Sequence, residues 1–193
     1  MRVKALAALA AALSLSACFG GSKGPDRLLT LTSAETRPAA SPRTAGQGAA
    51  VTVAEPTVPQ ALRTARVPVY VNETTIQYLT GAAWVEYPGP LFARLLGETI
   101  AVRTGRVVLD PAQYARDPGT RVTGHLARFG LDPNAMEAVV VYDATIPQAG
   151  GSVAANRFEA RVPVAEATAE AVAPALNQAA NQVADQVAAW IGQ

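Results

Sequence analysis

Residues 136–162 restrict the possible folds more than any other stretch. Met136, Ala138, Val140, Tyr142, Ala144 and Ile146 alternate along one side of an extended run. After a Gln-Ala-Gly-Gly turn at 148–151, Phe158, Ala160 and Val162 alternate with Arg157, Glu159 and Arg161. A period of two is the signature of a strand with two different faces. Two such runs around a glycine-rich turn predict a hairpin with its charged face in water. Val139 and Val141 add apolar residues to the other side of the first run, between Glu137 and Asp143. That run therefore reads as a central strand covered on both sides.

Cover for the sheet comes from two helical patterns. Pro88-Gly89-Pro90 marks a break and a helix start, since Pro suits the first helical position. Leu91, Phe92, Leu95, Leu96 and Ile100 then form one stripe at helical spacing over residues 91–102. In residues 171–191, Leu176, Ala180, Val183, Val187 and Trp190 step by 4, 3, 4, 3. That spacing allows a seam for another helix or docking onto the protein's own sheet. Pro174 is tolerated in the first turn of this helix and would break it later.

Shorter extended runs fall at 28–32 (LLTLT), 51–54, 67–71 (VPVYV), 75–79, 83–86, 106–109 and 120–129, and residues 33–50 read as a loop. A turn at Thr80-Gly81 joins the runs 75–79 and 83–86. Pro68 belongs at an edge or a strand start, because it cannot donate to a ladder. In 120–129, Val122 and Leu126 lie on one side and Arg121, Thr123 and His125 on the other. The expected fold is an α/β sandwich: a mixed, largely antiparallel sheet with two helices on one face.

The N-terminus carries an address. Arg2 and Lys4 precede a short apolar run, ALAALAAAL, and Leu15-Ser16-Ala17-Cys18 follows. The run is shorter than the ~20 residues that span a bilayer, and it has the layout of an export signal. An aliphatic residue, two small residues and Cys form a bacterial lipobox, cut before Cys18. The Cys18 thiolate is the group that takes diacylglycerol in thioether linkage, and its freed amine takes a further acyl chain. The competing reading is a secreted protein with a stray Cys. Two or more chains anchor stably where one holds only marginally. Phe19 occupies the position where inner-membrane retention in enterobacteria uses Asp, which points to the outer membrane. The predicted organisation is a signal peptide at 1–17, a tether at 18–26 behind the lipidated Cys18, and a folded domain at 27–193. The eight residues 19–26 reach at most about 28 Å.

The composition excludes more than it suggests. Sixteen Lys+Arg face 15 Asp+Glu. Removing Arg2 and Lys4 with the signal leaves 14 against 15, formally −1. Nucleic-acid binding needs a cation surplus, and this chain has none. One Cys and one His build neither an internal disulfide nor a common zinc site. No metal and no cofactor is expected. The glycines of 20–24 (GGSKG) sit in the tether without the strand and helix that a phosphate loop requires. His125, on a mid-sheet run, is the only histidine available to a catalytic Ser. Asp132, Glu137 and Asp143 are the carboxylates that could pair for glycoside hydrolysis, with solvated or capping roles as the plain alternative. The scattered arginines, Arg63 and Arg66 among them, read as an exposed face rather than a headgroup site. The chain does not read as an enzyme. Trp84, Tyr87 and Trp190 are candidates for a partner surface, because Trp and Tyr are enriched at interfaces. For Trp84 the core is the favoured reading, since one face of its strand must be buried.

Residues 67–100, VPVYVNETTIQYLTGAAWVEYPGPLFARLLGETI, resemble the ABC-type transport auxiliary lipoprotein family, which includes lipoprotein partners of paraquat-inducible MCE systems. The pattern is V-x-V at Val67, I-x-Y at Ile76, A-x-W-V-[DE] at Ala82 and L-F-x-x-L-L at Leu91. G-x-L-x-x-F at Gly124, Arg157-Phe158 and the run 177–190 match in kind, so the resemblance covers about residues 27–192. It implies a non-enzymatic, periplasm-facing outer-membrane lipoprotein. Such a protein would be an auxiliary docking module for an MCE-domain protein and an ABC permease complex that moves lipids or other hydrophobic molecules between membranes. Copies of it could assemble as a ring. The alternative roles are a direct periplasmic lipid carrier, with an apolar cavity between helices and sheet, and a periplasmic hydrolase.

Overall fold

In the computed structural model, residues 24–35, 44–46, 48–109 and 119–192 are described. The predicted signal peptide, Cys18 and most of the tether lie outside the described residues.

The alternating runs form the centre of the fold. Strand β7 is Thr120–Asp132, β8 is Glu137–Pro147 and β9 is Val153–Pro163. They pair antiparallel in sequence order, with β8 and β9 in unbroken register from Glu137↔Pro163 to Pro147↔Val153. Earlier strands complete the sheet along the free edge of β7. Val51–Val53 (β2) runs parallel to its first half, and Pro68–Tyr70 (β3) parallel to its end. Ile76–Tyr78 (β4) pairs antiparallel with β3, and Val108–Leu109 (β6) parallel with β2. A separate two-stranded parallel ribbon joins Arg27–Leu29 (β1) to Ala82–Trp84 (β5). The sheet is mixed: the two long ladders and the short β3–β4 ladder are antiparallel, and the other short ladders are parallel.

The runs joined at Thr80-Gly81 take different partners, β4 pairing with β3 and β5 with β1. One expectation changes in detail. Met136 is not the first residue of the strand face. It adopts φ 53° in the β7–β8 turn, where the Asp132 Oδ1 accepts from the Asn134 and Ala135 amides. Pro68 is the first residue of its strand, as its missing N–H requires.

β7 is longer than its alternation suggests, because a bulge resets it. Leu126 faces Tyr142 and Arg128 faces Val141, so Ala127 is an extra residue. The bulge turns Phe129 and Leu131 into the core and Arg128 outward. The G-x-L-x-x-F pattern is this geometry in sequence form: two steps from Gly124 to Leu126, then three across the bulge. Gly124 is required by close approach. A Cβ there would lie 2.6 Å from the Tyr142 ring and 2.3 Å from the Asp143 carbonyl oxygen.

Both helices cover one face. Helix α1, Pro88–Thr104, buries Leu91, Phe92, Leu95, Leu96 and Ile100 and stops at Gly105, which takes the left-handed φ of 70°. Helix α2, Ala169–Ile191, buries Leu176, Ala180, Val183 and Val187 against β8, β9 and α1. Its stripe therefore serves the protein's own fold, meeting α1 as well as the sheet. It starts before residue 171, so Pro174 lies beyond the first turn and the Glu170 carbonyl loses its intrahelical donor. Tilted ring contacts lock the layers: Phe92 on Tyr142 at 5.0 Å and Trp84 on Phe129 at 5.3 Å.

Candidate anchoring and docking surface

The described chain begins at Gly24, six residues beyond Cys18, and enters the fold through β1. From there a strap of residues 27–35 is pinned along α2. Arg27 pairs with Glu170 at 2.8 Å. The Thr32 amide donates to the Asn177 Oδ1 at 2.9 Å, and the Ala34 amide to the Asn181 Oδ1 at 2.7 Å. The Asn181 Nδ2 donates back to the Thr32 carbonyl at 2.9 Å. Arg103 bridges Glu35 at 3.2 Å and Asp185 at 2.9 Å. Asparagines four apart on one helix lie on one face, so their amides act as a ladder for an extended backbone that has no strand partner there. Asn181 is buried, and these bonds satisfy it. Sequence reasoning missed this role. The available signal was a pair of amides at 177 and 181 beside the apolar stripe.

The three aromatic candidates separate. Trp84 is 2% exposed and packs on Phe129, so of its two readings the core one holds and it leaves the partner-surface candidates: its side of β5 faces the interior. Tyr87, the residue before α1, is 56% exposed. Trp190 is half-buried, with its ring 5.6 Å from Phe158. Leu28 and Val85, which sequence reasoning did not single out, are 67% and 54% exposed. Arg66 stacks over Tyr78 at 4.2 Å.

The groups considered for catalysis are engaged with structural partners. The His125 Nδ1 lies 2.9 Å from the Thr57 Oγ1, where residues 51–57 run beside β7. Asp143 holds Arg157 through two bonds of 2.6 and 2.8 Å, and that bonding keeps its carboxyl below the usual range. Asp132 and Glu137 both meet Arg161, at 3.8 and 3.3 Å. Burial pushes the Tyr142 phenol far upward, and neither its oxygen nor the Trp84 Nε1 finds a partner among the described residues. Among the described residues no three His, Cys, Asp or Glu gather as metal ligands, and no helix is long and apolar enough to cross a membrane.

Comparisons with known proteins agree with this architecture. No curated protein matches the chain. A crystal structure of a Xanthomonas campestris protein, described by the family model DUF330, is similar with a TM-score of 0.70 and 20% identity, covering 86% of this chain and 94% of that one. A second, of an uncharacterized protein, has a TM-score of 0.66 and 10% identity, covering 86% and 99%. At such identities the likeness shows the fold alone. The family model of the ABC-type transport auxiliary lipoprotein component matches residues 29–188, which spans the sheet, α1, most of α2 and most of the strap. The chain therefore belongs to the family of ABC-type transport auxiliary lipoprotein components.

Proposed function

We propose that this protein is a non-enzymatic docking module of an MCE-type ABC transport system for lipids or other hydrophobic molecules. Cys18, acylated at the lipobox Leu15-Ser16-Ala17-Cys18, holds it on the periplasm-facing side of the outer membrane. The observation that carries the reading is the order along the chain: a lipobox ending at Cys18, then a family match that begins at residue 29. A short link of that kind keeps a folded module close to its bilayer, where it can meet only envelope machinery.

The filled interior favours docking over carriage. Trp84, Tyr142, Phe92, Phe129, Leu96 and Ile100 are all at most 2% exposed and interlock between helices and sheet. Cross-linking of intact envelopes followed by capture of this chain is expected to recover an MCE-domain protein together with the permease. Failure to recover either, while established envelope complexes survive the same treatment, overturns the docking role. A Cys18→Ser chain, released from the membrane, is expected to lose the capture.

A further inference from the structure

The β1–β5 ribbon carries an unexplained apolar face. Leu28 lies beside Ala83 in register, while Leu29 lies beside Trp84. Alternation sends Leu29 and Trp84 inward, so Leu28 and Ala83 point out. Val85, whose amide donates to the Leu29 carbonyl, continues the outward row. Tyr87 ends it at the head of α1. Of five large exposed apolar residues among those described, Leu28 and Val85 lie on the ribbon and Tyr87 two residues beyond it, whereas Ile76 is on β4 and Val153 on β9. Two ion pairs stand on the rim of the patch, Arg27 with Glu170 and Arg94 with Glu86. An apolar patch with a polar rim marks a contact surface.

We infer that this face rests on the lipid surface holding Cys18, so that the ribbon sets how the domain stands on its membrane. The inference rests on the acylation of Cys18 proposed above. Chain length selects the occupant: nine steps separate Cys18 from Arg27, a span of at most about 30 Å. The patch begins at the next residue, so the anchor delivers this side of the domain to the bilayer before any other. The strap along α2 keeps β1 from swinging away. Leucine and valine side chains supply buried apolar area, and a tyrosine places its ring at the headgroup level. Among the described residues no cluster of cations stands around the patch to draw anionic headgroups, so apolar contact carries the interaction.

The test uses the full acylated chain in phosphatidylethanolamine/phosphatidylglycerol vesicles. The sulfur of Cys18 is consumed by its thioether, so each of Leu28→Cys, Val85→Cys, Ile76→Cys and Val153→Cys presents one reactive thiol. These side chains are exposed, and the replacements leave the core untouched. A polarity-sensitive fluorophore is attached, and half of each sample contains brominated acyl chains. The expected result is blue-shifted emission and bromolipid quenching at 28 and 85, with neither at 76 and 153. Equal quenching at all four sites means no preferred face and overturns the inference. Aqueous emission at 28 and 85 in vesicles that float with the protein overturns the orientation while leaving the anchor standing. Self-quenching that grows with protein density, without bromolipid quenching, assigns the patch to a second copy and also overturns it. Protein that stays behind on flotation overturns the anchor, and the orientation with it.

Discussion

Strand β8 has two faces that are equally dry and differently covered. Val140 and Tyr142 lie under the helices, and Val139 and Val141 lie under the outer surface, yet all four are at most 5% exposed. Among the described residues no helix covers the outer side. Arg128 and Arg161 span it, held by Asp132, Glu137 and Glu159. Arg128 also stacks over Tyr70 at 4.3 Å. Long charged side chains bury their methylene stems and keep their heads in water. Burial alone is therefore a poor guide to strength. An interlocked layer resists collapse when an atom is removed, whereas flexible stems close over the gap, and the cost of a core deletion follows that difference.

The largest effect should come from the helix side. Phe92→Ala removes a ring packed on Tyr142 and is expected to cost about 3–5 kcal/mol in urea unfolding. The sharpest test compares neighbours on the one strand. Val140→Ala should cost about 2.5 kcal/mol and Val141→Ala about 1.5 kcal/mol, because only the second gap can be refilled by arginine stems. Equal losses would break the comparison.

Next, Arg161→Ala should cost about 1 kcal/mol, and Arg161→Met markedly less, since Met keeps the stem and drops the charge. If both cost the same, the ion pairs rather than the stems cover the face. The Asp143–Arg157 pair should matter less, given its exposure to solvent. Its sign follows from the lowered carboxyl pKa. The contribution is present above the unfolded value near 4 and is lost as pH falls through the lower folded value. Asp143→Asn should remove that acid-side slope from a pH series of melts. The smallest effect is expected at Tyr142→Phe, neutral or slightly stabilising, because the hydroxyl is buried without a partner among the described residues. A substantial loss would reveal a hydrogen bond to that oxygen.

What could be read along the chain follows its periodicities. β8, β9 and both helices repeat with their own period over many residues, so local pattern was enough. The bulge at Ala127 was also written in the spacing of Gly124, Leu126 and Phe129, but alternation read straight through stops at that point. The partners of β4 and β5 left no local trace. Both are three-residue runs joined by a turn, and only the rest of the molecule offers them β3 and β1. The candidate surface divides the same way. The lipobox is a contiguous peptide recognised by enzymes that act on an extended chain, so it needs no fold to be legible. Trp84 and Val85 are adjacent and equally apolar, and only the parity of β5 sends one to the core and the other to solvent.

Element identity, helix stripes and the acylation motif are properties of neighbours along the backbone, so the order of amino acids settles them before any packing occurs. Which short strand pairs with which, how charged stems dry Val139 and Val141, and how Asn177 and Asn181 hold a segment some 145 positions away are settled only when distant segments compete for the same edge and the same layer. That competition is decided by summed burial and hydrogen bonding across the whole fold, which no local window contains.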